Sequence, residues 1–283
     1  MSKLNMPAII PVAGLDTEFG MEWDASLIPV GANYTALEAT VYECLHAGCS
    51  SIWIVANDDV APLIRYRLGE YATDIRSIEQ GTFKRFGDTN HKEVPIYYVP
   101  IHPRHRRKVD NYAWSILYGA NTSYWIMKRF SRWTQPSQYY VSFPMGMVDP
   151  KEVLKHRASV RKNTPFYFSY EGKTVKDGLP LSFVLDPEEW RRAKHTITTN
   201  SSTWKTPDND KPPREKLPLE ERLISRRYTL IDVFGGGPEG TEQEMNSFYD
   251  LTTWAGYGKF IASELGKRTK RPNTNIMYRG RTK

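Results

Sequence analysis

The residues with the clearest chemical use stand at the ends of short apolar runs. The first run, Pro7 to Ala13, ends in Gly14 and opens into Leu15, Asp16 and Thr17. Small residues let a backbone come close to a ligand, and N–H groups in such a turn can hold phosphate. Ala13, Gly14, Leu15, Asp16 and Thr17 are therefore candidates for nucleotide contact; for Gly14 the alternative is a plain turn. A second run, Ile52 to Ala56, ends in Asn57, Asp58 and Asp59. These suit a ribose or a base, or a turn with a helix cap. A third run, residues 94–99, leads into the densest basic stretch of the chain, His102 to Lys108. Arg104, Arg106, Arg107 and Lys108 suit phosphate or nucleic acid, or a solvated face. No histidine has a nucleophile pattern near it, so no hydrolase triad is expected.

The elements that must position these groups follow from the pattern. Residues 7–13 read as a strand, and Tyr34 to Gly48 as a helix with apolar residues at 37, 41, 44 and 45. Thr35 and Glu38 have capping-box spacing, and Gly48 suits the helix end. Residues 51–56 and 94–99 read as further strands, with a helix from Val60 to Tyr71 between them. Strand and helix in alternation predict a parallel sheet with helices on its faces, and open sheets of this kind bind ligands beyond the carboxyl ends of their strands. Asn111 to Trp125 reads as an aromatic-rich helix of core and interface, 138–143 as a strand, and 151–157 as a short helix. Phe166–Tyr170 and Leu181–Leu185 read as added antiparallel strands, and Pro187–Lys194 as a helix. Residues 196–218 read as a mobile loop, Tyr228–Phe234 as a strand, and Ala255 to about Leu265 as the closing helix. One α/β domain over 1–265 and a basic tail over 266–283 are expected.

The chain has 283 residues, a formal charge of +7 and 40% hydrophobic residues. That suffices for a sizeable core, and the basic excess favours anionic partners such as nucleotides, sugar phosphates or nucleic acid. Cys44 and Cys49 are too few for a disulfide scaffold and lack partners at zinc spacing. Two buried thiols in a reducing cytoplasm are expected. No apolar run is long enough to cross a bilayer, and no membrane partner is expected.

Two separated segments carry a family resemblance. The opening Ala8 to Gly14, then Leu27-Ile28-Pro29-Val30-Gly31, a helix ending in Ala47-Gly48 and the strand Ile52 to Val55 are similar to the start of the sugar-nucleotide nucleotidyltransferases. Phe248 to Trp254 with Tyr257 resembles the closing Asp-x-Gly-Thr-Trp-x-x-Tyr element of that family. The resemblance spans roughly residues 7–265 and implies a Rossmann-like, mainly parallel mixed sheet with helices on both faces. It also implies an activity: a sugar-1-phosphate oxygen attacks the α-phosphorus of a nucleoside triphosphate and pyrophosphate leaves, with Mg2+ held by carboxylates. Asp250 matches the second metal carboxylate, its other reading being a cap on the last helix. The first would close the fourth strand near Phe143-Pro144; Asp149 is the nearest acid, and it also suits a helix cap. Glu18 stands where the family's loop arginine is expected, and Asp24-Ala25 where its Pro-Lys is expected.

Three readings follow. The first is a cytoplasmic, Mg2+-dependent nucleotidyltransferase, with Asp250 and Asp149 at the metal and Arg104 to Lys108 in place of the family's cations. The second is a glycosyltransferase on the same scaffold, taking a nucleotide-sugar donor and acting on an acceptor such as modified nucleic acid. The third is a non-catalytic nucleotide-binding homologue. Asp208-Asn209-Asp210 has the Asp-x-Asp form of metal-dependent glycosyltransferases, but its proline-rich surroundings favour a solvated loop.

Overall fold

Strand β1 (Ala8–Pro11) is wholly buried because it lies in the middle of a sheet covered on both faces. The computed structural model describes residues 5–14, 17–21, 23–74, 93–101, 112–131, 134–162, 164–202 and 228–272. After β1 come β2 (Pro29–Gly31), β3 (Tyr34–Thr35), α1 (Ala36–Ala47), β4 (Ile52–Asn57), α2 (Ala61–Leu68), β5 (Tyr71–Thr73) and β6 (Glu93–Ile101). Next are α3 (Tyr112–Phe130), β7 (Tyr139–Val141), β8 (Gly146–Val148), α4 (Pro150–Val160), β9 (Phe166–Ser169), β10 (Phe183–Leu185) and α5 (Pro187–Ser202). The chain continues with α6 (Leu230–Phe234), β11 (Thr241–Glu244), β12 (Phe248–Asp250), α7 (Trp254–Ala262) and α8 (Glu264–Arg268).

The main sheet runs β11-β9-β10-β7-β1-β4-β6-β5. Pairs β7–β1, β1–β4, β4–β6 and β11–β9 are parallel, while β10 is antiparallel to β7 and β9, and β5 to β6. The expected mixed, mainly parallel sheet is present, with helices on both faces. One face buries Ile10, Ile52 and Ile54 against Val41 and Leu45 of α1, Ile64 of α2 and Val153 of α4. The other buries Ile9, Trp53 and Val55 with Ile116 and Ala120 of α3, Ile197 of α5 and Val233 of α6. Gly119 lets α3 lie close on the sheet: a Cβ there would stand 2.6 Å from a methyl of Val55. Both cysteines are free and buried.

Local chemistry sets the helix ends where it was read. Thr35 and Glu38 form the capping box of α1, with the Thr35 N–H donating to Glu38 at 2.8 Å, and Gly48 ends the helix at φ 88°. Several expectations are corrected. Tyr228–Phe234 is not a strand: Thr229 and Asp232 form a capping box and start α6, and a short apolar run does not distinguish the two states. Tyr71 belongs to edge strand β5, because Gly69 at φ 80° ends α2 before it. The first part of the expected loop 196–218 is the last part of α5, and residues 203–218 lie outside the described residues. The closing helix is two helices, with Ser263 capping the second.

A third, smaller core sits at one rim of the sheet. Phe19, Ile28, Val30, Ala36, Met145, Met147, Leu251, Phe260 and Leu265 gather there. It joins the N-terminal loop, the β2–β3 hairpin, the β8–β12 ladder and the last two helices, and it positions the site described next.

Candidate nucleotide site

Strands β1 and β4 are parallel, with Pro11 opposite Val55, so their carboxyl ends open on the same rim. There the Val12 and Ala13 N–H groups both donate to the Val55 carbonyl, at 2.8 and 3.0 Å. The Ala13 carbonyl accepts from the buried Ser115 hydroxyl of α3 at 2.8 Å. Gly14 follows at φ 84°, a left-handed conformation that favours glycine. The turn is thus held from two sides up to the residue at which the backbone faces the cleft.

The cleft has a volume of about 190 Å³ and is lined by Val12, Gly14, Thr17, Met21, Trp23, Asp24, Ala25 and Asn57. Gly14, Thr17 and Asn57 were expected here. Asn57 closes β4, and its buried side-chain oxygen has no hydrogen-bond partner among the described residues. Asp58 is in the turn after it and does not line the cleft. Leu15 and Asp16 lie outside the described residues, as do Arg104, Arg106, Arg107, Lys108 and Asp208–Asp210. Ile101, just ahead of the basic run, pairs with Asn57, so the chain leaves β6 at the rim of the cleft.

Sequence reasoning missed Asp24 as a site residue. Its Oδ1 accepts from the Ser26 N–H at 2.9 Å and from the Ser26 hydroxyl at 2.5 Å. Burial pushes its carboxyl above the ordinary range, the Ser26 bonds oppose this, and the charge of Asp59 adds to it. No Lys or Arg lines the cleft among the described residues. Its one sequence signal was the pair Asp24-Ala25 standing where the resemblance expects Pro-Lys.

The Asp250 segment packs against the N-terminal loop from the far end of the chain. The Glu18 N–H donates to the Thr252 carbonyl at 3.0 Å, and the Trp254 N–H to the Glu18 carboxylate at 3.4 Å. Phe19 packs edge-on against Trp254, ring centres 4.5 Å apart. Tyr257 donates from its hydroxyl to the Pro29 carbonyl at 2.8 Å. Asp250 Oδ1 accepts from the Thr252 N–H and hydroxyl at 2.9 and 2.7 Å, and Thr253, rather than Asp250, caps α7. Tyr112, at the start of α3, lies in the field of both acids. Burial pushes its hydroxyl well above the ordinary range, and the charges of Asp24 and Asp250 push it further. That hydroxyl has no hydrogen-bond partner among the described residues.

Asp149 stands elsewhere. Its Oδ1 caps α4 through the Lys151 N–H at 3.0 Å, and its Oδ2 accepts from Arg268 at 2.5 Å. In the β8–β12 ladder Asp250 pairs with Gly146, and Asp149 is three residues beyond Gly146. That separates the two acids by roughly 10 Å along the strand. The structure brings Gly14, Thr17, Asn57 and Asp24 together; Asp250 does not line the cleft but is tied to its loop through the Glu18–Thr252 and Phe19–Trp254 contacts, and Asp149 is not brought to Asp250. Among the described residues no cluster of three or more His, Cys, Asp or Glu can hold a metal alone. A magnesium ion at this rim would therefore take one or two carboxylates together with substrate oxygens, its usual habit.

The fold is that of the sugar-nucleotide nucleotidyltransferases. A structure assigned as a glucose-1-phosphate thymidylyltransferase from Bacillus anthracis, in complex with sucrose, matches with TM-score 0.56 and 12% identity over 95% of this chain and 98% of its own. A UTP-bound UDP-glucose pyrophosphorylase from Acinetobacter baumannii matches with TM-score 0.54 and 13% identity, covering 93% and 96%. A UDP-glucose pyrophosphorylase complexed with UDP-glucose matches with TM-score 0.53 and 13% identity, covering 94% and 100%. By sequence, no family model and no curated protein matches the chain. No helix among the described residues is long and apolar enough to cross a membrane.

Proposed function

We propose that the chain is a nucleotidyltransferase of sugar-nucleotide metabolism, joining a nucleoside triphosphate to a sugar-1-phosphate. In the reaction a sugar-phosphate oxygen bonds to the α-phosphorus, the bond to the β-phosphate bridging oxygen breaks, and pyrophosphate leaves with that electron pair. The observation that carries the reading is the cleft at the ends of β1 and β4, in a fold shared along nearly the whole chain with enzymes of this class. Gly14 lets the turn approach the phosphates, and the Asn57 oxygen accepts from a ribose hydroxyl or a base N–H.

The donor set fits magnesium. Asp24 and Asp250 each have Oδ1 fixed by a Ser or Thr and no hydrogen bond to Oδ2 among the described residues. We assign the metal to these two, and leave Asp149 to the helix cap and Arg268. When bound, the ion offsets the charge on the phosphate oxygens. Chemistry of this kind needs positioning and charge stabilisation more than a protein nucleophile.

A second reading has its own observation. A cleft lined by an acid and by no cation among the described residues suits a diphosphate donor better than a triphosphate. On this reading the protein is a glycosyltransferase using a nucleotide sugar.

One experiment separates the readings. Pyrophosphate release is measured over a panel of nucleoside triphosphates and sugar-1-phosphates, with and without Mg2+, beside nucleotide-sugar hydrolysis. Mg2+-dependent pyrophosphate release that needs both substrates supports the first reading. Nucleotide-sugar hydrolysis without pyrophosphate chemistry replaces it with the second. Nucleotide binding that ignores Mg2+, with no turnover, removes both.

A further inference from the structure

Helix α3 is apolar on two sides. Ala113, Ile116, Leu117 and Ala120 are buried against the sheet. At 3.6 residues per turn, Trp125, Ile126, Arg129 and Phe130 fall on the opposite arc. There Trp125 is 53% exposed, Ile126 38% and Phe130 77%. Three large apolar side chains left in water within six residues ask for an occupant.

The charge around them says which. No Asp or Glu occurs from residue 111 to residue 148, while Lys128, Arg129 and Arg132 do. Lys128 and Arg129 are exposed beside the apolar groups. A second copy meeting this face across a two-fold axis would bring the same basic face against it, with no acid from residues 111–148 to pair with Lys128 and Arg129. A nucleic acid would use cations and open ring faces, but Lys128 already lies over the Tyr124 and Trp125 rings, 5.6 and 5.0 Å from their centres. Ile126, moreover, has no face on which a base could stack. An anionic lipid surface satisfies every group: the apolar side chains enter the boundary between headgroups and acyl chains, and the basic ones stay among the headgroup phosphates.

We propose that the exposed C-terminal end of α3, carrying Trp125, Ile126, Lys128, Arg129 and Phe130, is a peripheral docking surface for membranes rich in anionic phospholipid. This revises the expectation that the chain has no membrane partner, and it does not depend on the reading of the cleft.

The test uses the full chain and vesicles of phosphatidylcholine with or without phosphatidylserine, followed by co-sedimentation. Binding is expected to the phosphatidylserine vesicles, to weaken with added salt, and to be lost in Trp125→Ser/Phe130→Ser. The Lys128→Gln/Arg129→Gln variant is expected to bind roughly 25-fold more weakly, about fivefold per basic residue. These side chains are exposed, so circular dichroism spectra and melting temperatures of the variants are expected to match the parent. The proposal fails if phosphatidylserine vesicles are not bound, or if both variants bind as the parent does. It also fails if these substitutions instead abolish oligonucleotide binding or a concentration-dependent dimer seen by analytical ultracentrifugation; those results give the face to nucleic acid or to a second copy.

Discussion

Two glycines in α7 receive the same substitution with opposite consequences. A glycine in a helix costs about 0.5–1 kcal/mol relative to alanine. At Gly258 a Cβ would meet nothing within 4 Å, so Gly258→Ala is expected to stabilise the protein by up to that amount. For a chain of this size the melting temperature rises by roughly 1–4 °C. At Gly256 a Cβ would run into the Asp250 carbonyl oxygen and stand 3.1 Å from the Thr253 hydroxyl that caps the helix. Overpacking typically costs about 1–3 kcal/mol. Less the propensity gain, which is smaller in the first turn, Gly256→Ala is expected to destabilise by about 0.5–2 kcal/mol. It also shifts the Asp250 turn. Thermal melts of the two variants, run beside the pyrophosphate assay, measure both effects. A Gly256→Ala protein that melts as high as Gly258→Ala would refute the close approach of α7 to Asp250. Unchanged turnover in a destabilised Gly256→Ala would remove Asp250 from the chemistry while leaving the packing argument intact.

Three further outcomes follow from named groups. Asp24→Asn is expected to cut Mg2+-dependent turnover about a hundredfold or more while keeping or raising the melting temperature without metal, since burial and Asp59 disfavour its charge; full turnover would remove Asp24 from the site. Asp149→Ala loses the Lys151 cap and the Arg268 pair, so a stability loss of about 1 kcal/mol with turnover intact is expected in denaturant titrations and kinetics. Glu43 is buried and accepts from the Tyr140 hydroxyl at 2.6 Å and from Ser182, and burial raises its carboxyl above the ordinary value. The folded state therefore holds its proton to a higher pH than the unfolded chain does. Its contribution to stability is complete below the unfolded value, about 4.5, and is lost as pH rises towards the folded value. Glu43→Gln keeps an acceptor and cannot titrate, so its stability should fall less over that rise; identical pH profiles would show that Glu43 is not the cause.

Some of this was legible because the signal is local. The Thr35–Glu38 capping box, the Gly48 stop, the buried runs of β1 and β4 and the antiparallel pair β9–β10, which spans residues 166–185, are each written in a short stretch of neighbouring sequence. Local spacing also misled. Tyr228–Phe234 is apolar enough for a strand, and the cap supplied by Thr229 decides for a helix. In β8, three residues form a ladder only because β12, about a hundred residues later, supplies the partner.

By itself the sequence determined that a glycine turn follows the first buried strand, that polar residues end the second, and that the sheet between helices is mainly parallel, because periodicity and caps act within one element. Only the tertiary structure decided which acid lines the cleft. Asp149 and Asp250 looked like a pair in sequence, but antiparallel register sets them at opposite ends of a ladder. Asp24 has no motif to mark it; it lies in the cleft because the third core folds the N-terminal loop against the Asp250 segment, and such long-range packing leaves no periodic trace in the chain.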